Sequence, residues 1–121
     1  MIKIIFLSRQ IEKNGKLAIE KDSTNLRAYY ALASNDFYTP EQYGGGKHSE
    51  EYLLKAISLP DQKVKNSMLP SWGKQESYEL LVSWYIRKKD WEKAKRYHKE
   101  AVKKYPENYL LNQLITELKD K

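Results

Sequence analysis

Residues 75–108, QESYELLVSWYIRKKDWEKAKRYHKEAVKKYPEN, constrain this chain more than any other stretch. Tyr78, Leu81, Val82 and Tyr85 recur at i, i+3, i+4 and i+7, which is one apolar stripe on a helix. Trp91, Ala94, Tyr97, Ala101 and Val102 make a second stripe, and Pro106 ends it. Only Arg87-Lys88-Lys89-Asp90 separates the two. A turn that short forces the helices antiparallel, so that each stripe covers the other.

The spacing Tyr78-x2-Leu81-Val82-x2-Tyr85, then Ala94-x3-His98, Ala101 and Pro106, resembles a tetratricopeptide repeat. Tyr stands for the family's Trp, Val for its Gly and His98 for its Phe. One hairpin leaves its outer faces uncovered, so relatives are expected on both sides. Upstream, Tyr29-x2-Leu32-Ala33 repeats the opening, with Asp36 at the expected tyrosine position and Phe37 one later. After an insertion, Ser49-x3-Leu53 with Ala56, Ile57 and Pro60 supplies a second helix. Ile11-x3-Gly15, Ala18 and Ser23 fit the second half of a unit, and Leu111, Leu114, Ile115 and Leu118 fit a capping helix. The resemblance implies an all-α fold of antiparallel hairpins stacked as a short right-handed α-solenoid. It would hold a half repeat near 3–23, an interrupted repeat near 25–60, a complete repeat at 75–108 and a cap at 108–119.

Composition narrows the chemistry. With 121 residues, 40% of them hydrophobic, one domain and one core are expected. No cysteine is present, which removes disulfides, thiolate catalysis and cysteine-ligated zinc together and assigns no compartment. The opening MIKIIFLSR has an apolar run too short for a signal-peptide core, and no stretch is long and apolar enough to span a bilayer. The net charge of +6 is uneven: residues 1–61 carry 0, 62–104 carry +7 and 105–121 carry −1. Lys88, Lys93, Lys95, Arg96, Lys99 and Lys103 form much of the excess, a surface for a polyanion or a solvated outer face. Glu92 and Glu100 interrupt it, so nucleic acid is disfavoured.

Along the chain, Asn14-Gly15 predicts a bend or break in the first helix. That helix lacks a partner within its own unit. Ile4, Ile5, Phe6 and Leu7 therefore either fold back onto the body or form a sticky end for a second copy or a missing segment. Ser23, Thr24 or Asn25 is the N-cap of the next helix, and Ser49, Glu50 and Glu51 suit the start of the third. Between them lies YTPEQYGGGKH, residues 38–48, where Pro40 and Gly44, Gly45 and Gly46 exclude regular helix. Two readings stand: a packed turn with Tyr38 and Tyr43 as plugs, or a ligand site between the second helix, the loop and the fourth helix. The loop lacks the strand, first glycine and hydroxyl of a phosphate-binding loop. A second connector, 59–72, ends in Trp72-Gly73, with Trp72 expected against the fourth helix.

No catalytic motif is present. His48 and His98 have no metal spacing, His98 occupies a core position, and no cofactor is expected. Asp36, Glu41 and His48 are the residues that convergence at the loop would make into an acid–base group. Tyr29, Tyr78, Tyr85, Trp91 and Tyr97 belong to the core, while Tyr30 and Trp84, one step off the stripes, are candidates for exposed contacts. The resemblance implies a concave groove holding a peptide or partner protein. By spacing it is lined by Arg27, Tyr30, Ser34, Glu76, Glu79, Ser83 and Arg87, with Gln113 extending it. Tyr30, Ala31, Glu79 and Leu80 stand where chaperone-binding members carry lysines and asparagines, so a chaperone's acidic tail is not expected. The leading expectation is a binding scaffold with no enzymatic activity. Polyanion binding, a small ligand at the loop and self-association through the N-terminal helix are the alternatives.

Overall fold

Helix starts fall where short polar side chains can replace missing backbone acceptors. The Ala28 amide donates to Asn25 Oδ1 at 3.1 Å, the Lys93 amide to Asp90 Oδ1 at 3.3 Å and the Leu111 amide to Asn108 Oδ1 at 2.9 Å. The structure, a computed structural model, describes residues 2–60 and 73–121, with 2–6 described as backbone alone. Its helices are α1 (Ile2–Lys21), α2 (Leu26–Tyr38), α3 (Ser49–Ser58), α4 (Lys74–Arg87), α5 (Trp91–Lys104) and α6 (Tyr109–Leu118), with one 3-10 turn at Glu41–Tyr43. Among the described residues there is no strand, so the fold is all-α. None of these helices is long and apolar enough to cross a membrane.

Each helix packs on its neighbour in sequence, and α4 also touches α2 and α6. Residue pairs give the directions. Tyr78 meets Glu100 while Tyr85 meets Tyr97 and Lys93, so α4 and α5 run antiparallel. Tyr85 reaches Glu50 and Tyr78 packs near Ile57, so α3 and α4 do too. Phe37 lies against Trp84 and Arg87, which sets the end of α2 beside the end of α4.

The core follows the α4–α5 stripes. Leu81, Val82, Tyr78, Tyr85, Ala94 and Ala101 are buried, joined by Leu53, Ala33 and Leu118 from flanking helices. Each fully buried Leu or Val contributes roughly 1.5–3 kcal/mol of apolar transfer free energy. The two buried phenols keep acceptors at the edge of this core. Tyr78 donates to Glu100 Oε2 at 3.0 Å and Tyr85 to Glu50 Oε2 at 2.7 Å. Burial, then those carboxylates, push both phenols well above the usual tyrosine range.

Several expectations need correction. Helix α1 runs unbroken through Asn14-Gly15. Gly15 is buried there, and a Cβ on it would come within 2.7 Å of Leu32 Cγ, so the glycine allows close approach to α2 instead of ending the helix. Trp84 is buried, not exposed, because the 38–48 loop folds over it. Ser49 lies inside α3, where its hydroxyl donates to Asp36; the cap position belongs to His48, which makes no side-chain cap bond. Ile115 is 58% exposed, since Leu111 and Leu118, with Leu114 partly, suffice to cover the hairpin. The side chains of Ile4, Ile5 and Phe6, and residues 61–72 of the second connector with Trp72 among them, lie outside the described residues.

Candidate functional site

The residues expected in a groove divide into those that face outward and those used to hold helices together. Tyr30, half-buried on α2, faces Glu76 and Glu79 of α4. Burial, then Tyr38 and the two carboxylates, raise its phenol, while a hydrogen bond with Ser34 acts the other way. Burial also raises the Glu79 carboxyl; a bond from Asn108 opposes this and Glu76 adds to it. The Asn108 amide donates to Glu79 Oε1 at 3.1 Å and to Gln75 Oε1 at 2.9 Å, stitching the start of α6 to α4. Asn108 and Glu79 thus join the start of α6 to α4, and Tyr30 of α2 lies within electrostatic reach of Glu76 and Glu79. Sequence reasoning missed Asn108, because a contact from its amide to Gln75 and Glu79 depends on residues far along the chain.

Arg87, Ser83, Gln113 and one carboxylate oxygen of Glu76 are spent locally. Arg87 donates to the Phe37 carbonyl at 2.9 Å with its guanidinium 3.6 Å from the Phe37 ring centre, which locks α2 to α4. Ser83 donates to the Glu79 carbonyl at 2.8 Å, and Glu76 accepts from the Gly73 amide at 2.9 Å as it starts α4. Gln113 donates to Tyr109 of its own helix, so Asn108 makes the α6 contact instead. Arg27, Tyr30, Ser34 and Tyr38 border a groove of about 600 Å³ whose other wall is Leu7 and Ile11 of α1. That wall had no signal beyond helix amphipathicity, because which neighbour a stripe meets is a tertiary fact.

The loop is pinned by Asp36. Its carboxylate accepts from the His48 amide at 2.9 Å and the Ser49 hydroxyl at 2.6 Å, while its own carbonyl accepts from the Gly46 amide at 2.9 Å. Gly45 sits so close to Thr39 that a Cβ would strike its carbonyl oxygen, and Gly46, at φ 82°, rests on the Trp84 ring. The glycines close the turn against backbone and ring, and tyrosines do not plug it. Tyr38 is 72% and Tyr43 38% exposed, which corrects that expectation. Nor does an acid–base group assemble: Asp36 bonds the His48 backbone instead of the ring, and Glu41 pairs with Lys88 at 3.5 Å. The loop borders a cleft of about 410 Å³, lined by Ser8, Arg9 and Glu12 and by Asn35, Asp36 and Gly44 among others. The second wall of this cleft is α1, whereas α4 was expected.

Much of the basic charge on α5 is engaged. Lys93 meets Glu50 at 3.7 Å and Asp90 at 4.0 Å, Lys95 donates to the Lys121 carbonyl, and Arg96 lies over Tyr97. Lys99 and Lys103 point from the exposed side of the helix. Lys88 also lies over the Trp84 ring.

His98 is buried, with Nε2 2.7 Å from the Leu111 carbonyl. A carbonyl only accepts, so the proton sits on Nε2 and His98 joins α5 to α6. Among the described residues no three histidine or carboxylate side chains gather as a metal-ligand set. No protein-family model, no curated protein and no solved structure matches this chain.

Proposed function

We propose that this chain is a tetratricopeptide-like interaction module, its hairpins stacked as a short right-handed solenoid, that holds a segment of a partner protein along α2, α4 and α6. The observation that carries the reading is that Tyr30 of α2 lies within electrostatic reach of Glu76 and Glu79 of α4, while Asn108 bonds Glu79 from the start of α6. The spacing of Tyr78, Leu81, Val82, Tyr85, Ala94 and Pro106 supports the same reading from the sequence. Catalysis is no part of it.

A displayed peptide library selected against the full chain tests this, followed by mapping of bound peptides on backbone amide spectra. The expected result is amide shifts confined to α2, α4 and the start of α6. Tyr30→Ala and Glu79→Ala should each weaken binding about tenfold, which is the loss of roughly 1.4 kcal/mol. Lys99→Ala should leave it unchanged. Peptides that respond to Lys99→Ala and Lys103→Ala with a steep salt dependence would replace this reading with electrostatic capture by α5.

A further inference from the structure

The cleft between α1, the end of α2 and the loop is cut off from the groove by a small polar partition. Asn35 donates to the Ser8 carbonyl at 3.1 Å, the Thr39 hydroxyl donates to the Asn35 carbonyl at 2.6 Å, and the Ser8 and Thr39 hydroxyls lie 3.2 Å apart. On the far side of that partition the outer cleft of about 410 Å³ adjoins an inner one of about 230 Å³ that reaches Leu32, His48 and Tyr52. Glu12, Asn35, Asp36, Tyr43 and Gly44 line both. Gly44, at φ 90°, has nothing within 4 Å of a notional Cβ, so bare backbone leaves this part of the cleft open.

What distinguishes this cleft is the bonding capacity that the fold leaves over. Both side-chain bonds to Asp36 fall on Oδ2, and Glu12 uses Oε1 for Lys16 at 2.8 Å. Asn35 uses only its amide nitrogen. Asp36 Oδ1, Glu12 Oε2 and the one side-chain oxygen of Asn35 are therefore acceptors without a bond among the described residues. Donors interleave with them: the Arg9 guanidinium and the Tyr43 and Tyr52 hydroxyls, none engaged in a hydrogen bond with a described residue. Burial also raises the Tyr52 phenol, which keeps it protonated and donating.

A ligand of one charge satisfies half of this set and opposes the rest. An anion drawn to Arg9 meets Glu12 and Asp36, and a cation drawn to those carboxylates meets Arg9. A free amino acid would use Arg9 and Glu12, one turn apart on α1, and leave Asp36, Asn35 and Tyr43 unmet. A neutral polyol matches the whole pattern, because every hydroxyl both donates and accepts, and its bonds to carboxylates are charge-assisted. The Tyr43 ring offers a flat apolar surface for its C–H face. We propose that this cleft binds a neutral sugar, a mono- or disaccharide, and that it does so independently of the groove.

The test titrates the full chain with glucose, galactose, mannose, arabinose and their common disaccharides, beside glycine, alanine and inorganic phosphate, followed by backbone amide shifts and saturation transfer. A cleft this open is expected to give a Kd on the order of 1 mM for at least one sugar, about what a dozen heavy atoms at modest efficiency provide. Shifts should concentrate at residues 8–12, 35–39 and 42–45. Tyr43→Ala, at an exposed side chain that bonds nothing in the fold, should weaken sugar binding at least fivefold with the spectrum otherwise intact. Lys99→Ala should leave it unchanged. If no sugar moves those amides at tens of millimolar, or if phosphate or an amino acid moves them and no sugar does, the proposal is wrong.

Discussion

The α4–α5 hairpin and the α1–α2 pair are both antiparallel helix pairs, yet they are held together by different means. Between α4 and α5 the seam is continuous and apolar, with Leu81, Val82 and Ala94 fully buried and phenols bonded at its edges. Between α1 and α2, among the described side chains, Gly15 packs against Leu32 and Ser8, Asn35 and Thr39 share hydrogen bonds, while Leu7, Ile11 and Leu17 stay at least 43% exposed. The first seam stores stability. The second leaves a groove on one side and a cleft on the other, because a polar contact at a few points does not fill the space around it. The groove and the cleft beside α1 therefore open where packing is thinnest.

Substitutions at matched positions sharpen this contrast. Leu81→Ala is expected to cost about 2–5 kcal/mol, read from the denaturant midpoint, since a fully buried side chain leaves a cavity. Leu7→Ala, at a residue 56% exposed, should move the same midpoint by under about 0.5 kcal/mol. Equal effects would erase the distinction between the two seams.

Next in size is Tyr85→Phe, which removes the bond to Glu50 and should cost about 1–2 kcal/mol at neutral pH. The sign of its pH dependence follows from the raised phenol. A group whose pKa is higher in the fold contributes stability that is complete below its ordinary value of 10.0 and is lost as pH rises through the folded value. The gap between wild type and Tyr85→Phe should thus stay level up to about pH 10 and shrink above it. A gap that widens there would contradict the assigned bond.

Gly15→Ala opposes two effects. Alanine favours helix by about 1 kcal/mol, yet its Cβ would meet Leu32 Cγ at 2.7 Å, and Leu32 is itself buried. Overpacking of this kind costs about 1–3 kcal/mol, so a net loss near 1 kcal/mol is expected. Hydrogen exchange should show it, with faster exchange in α1 and an unaltered α4–α5 hairpin. A gain in stability would mean that the glycine serves no close approach.

The smallest expected effect belongs to Glu79→Gln. Burial raises the Glu79 carboxyl above its ordinary 4.5, so ionisation there opposes folding. Glutamine should stabilise the fold at pH 7 by no more than about 0.5 kcal/mol after solvent screening, and the advantage should fade as pH falls toward 4.5. A loss at pH 7 would show that the carboxylate itself holds α6 through Asn108.

The stripes of α4, α5 and α6 were legible because burial on one side of a helix leaves a 3.6-residue period in the sequence, and Asn25 stood among the N-cap candidates, whereas the caps at Asp90 and Asn108 emerged from the structure. Gly15 and Trp84 were misread for the same reason. An Asn-Gly pair is a turn signal only when no neighbouring helix needs the space, and a Trp one step off a stripe is exposed only if nothing folds over it. Both conditions depend on residues far along the chain, Leu32 in one case and Gly46 in the other.

By itself, the sequence determined an all-α chain and the absence of thiol chemistry, since these depend on local periodicity and composition. Only the tertiary structure decided which candidate residues are spent and which are left over. Arg87 goes to Phe37, Asp36 goes to the loop, and Arg9, Tyr43 and one oxygen each of Glu12 and Asn35 are left facing a cleft. Hydrogen bonds between distant residues settle that division, and the order of residues along one chain does not carry it.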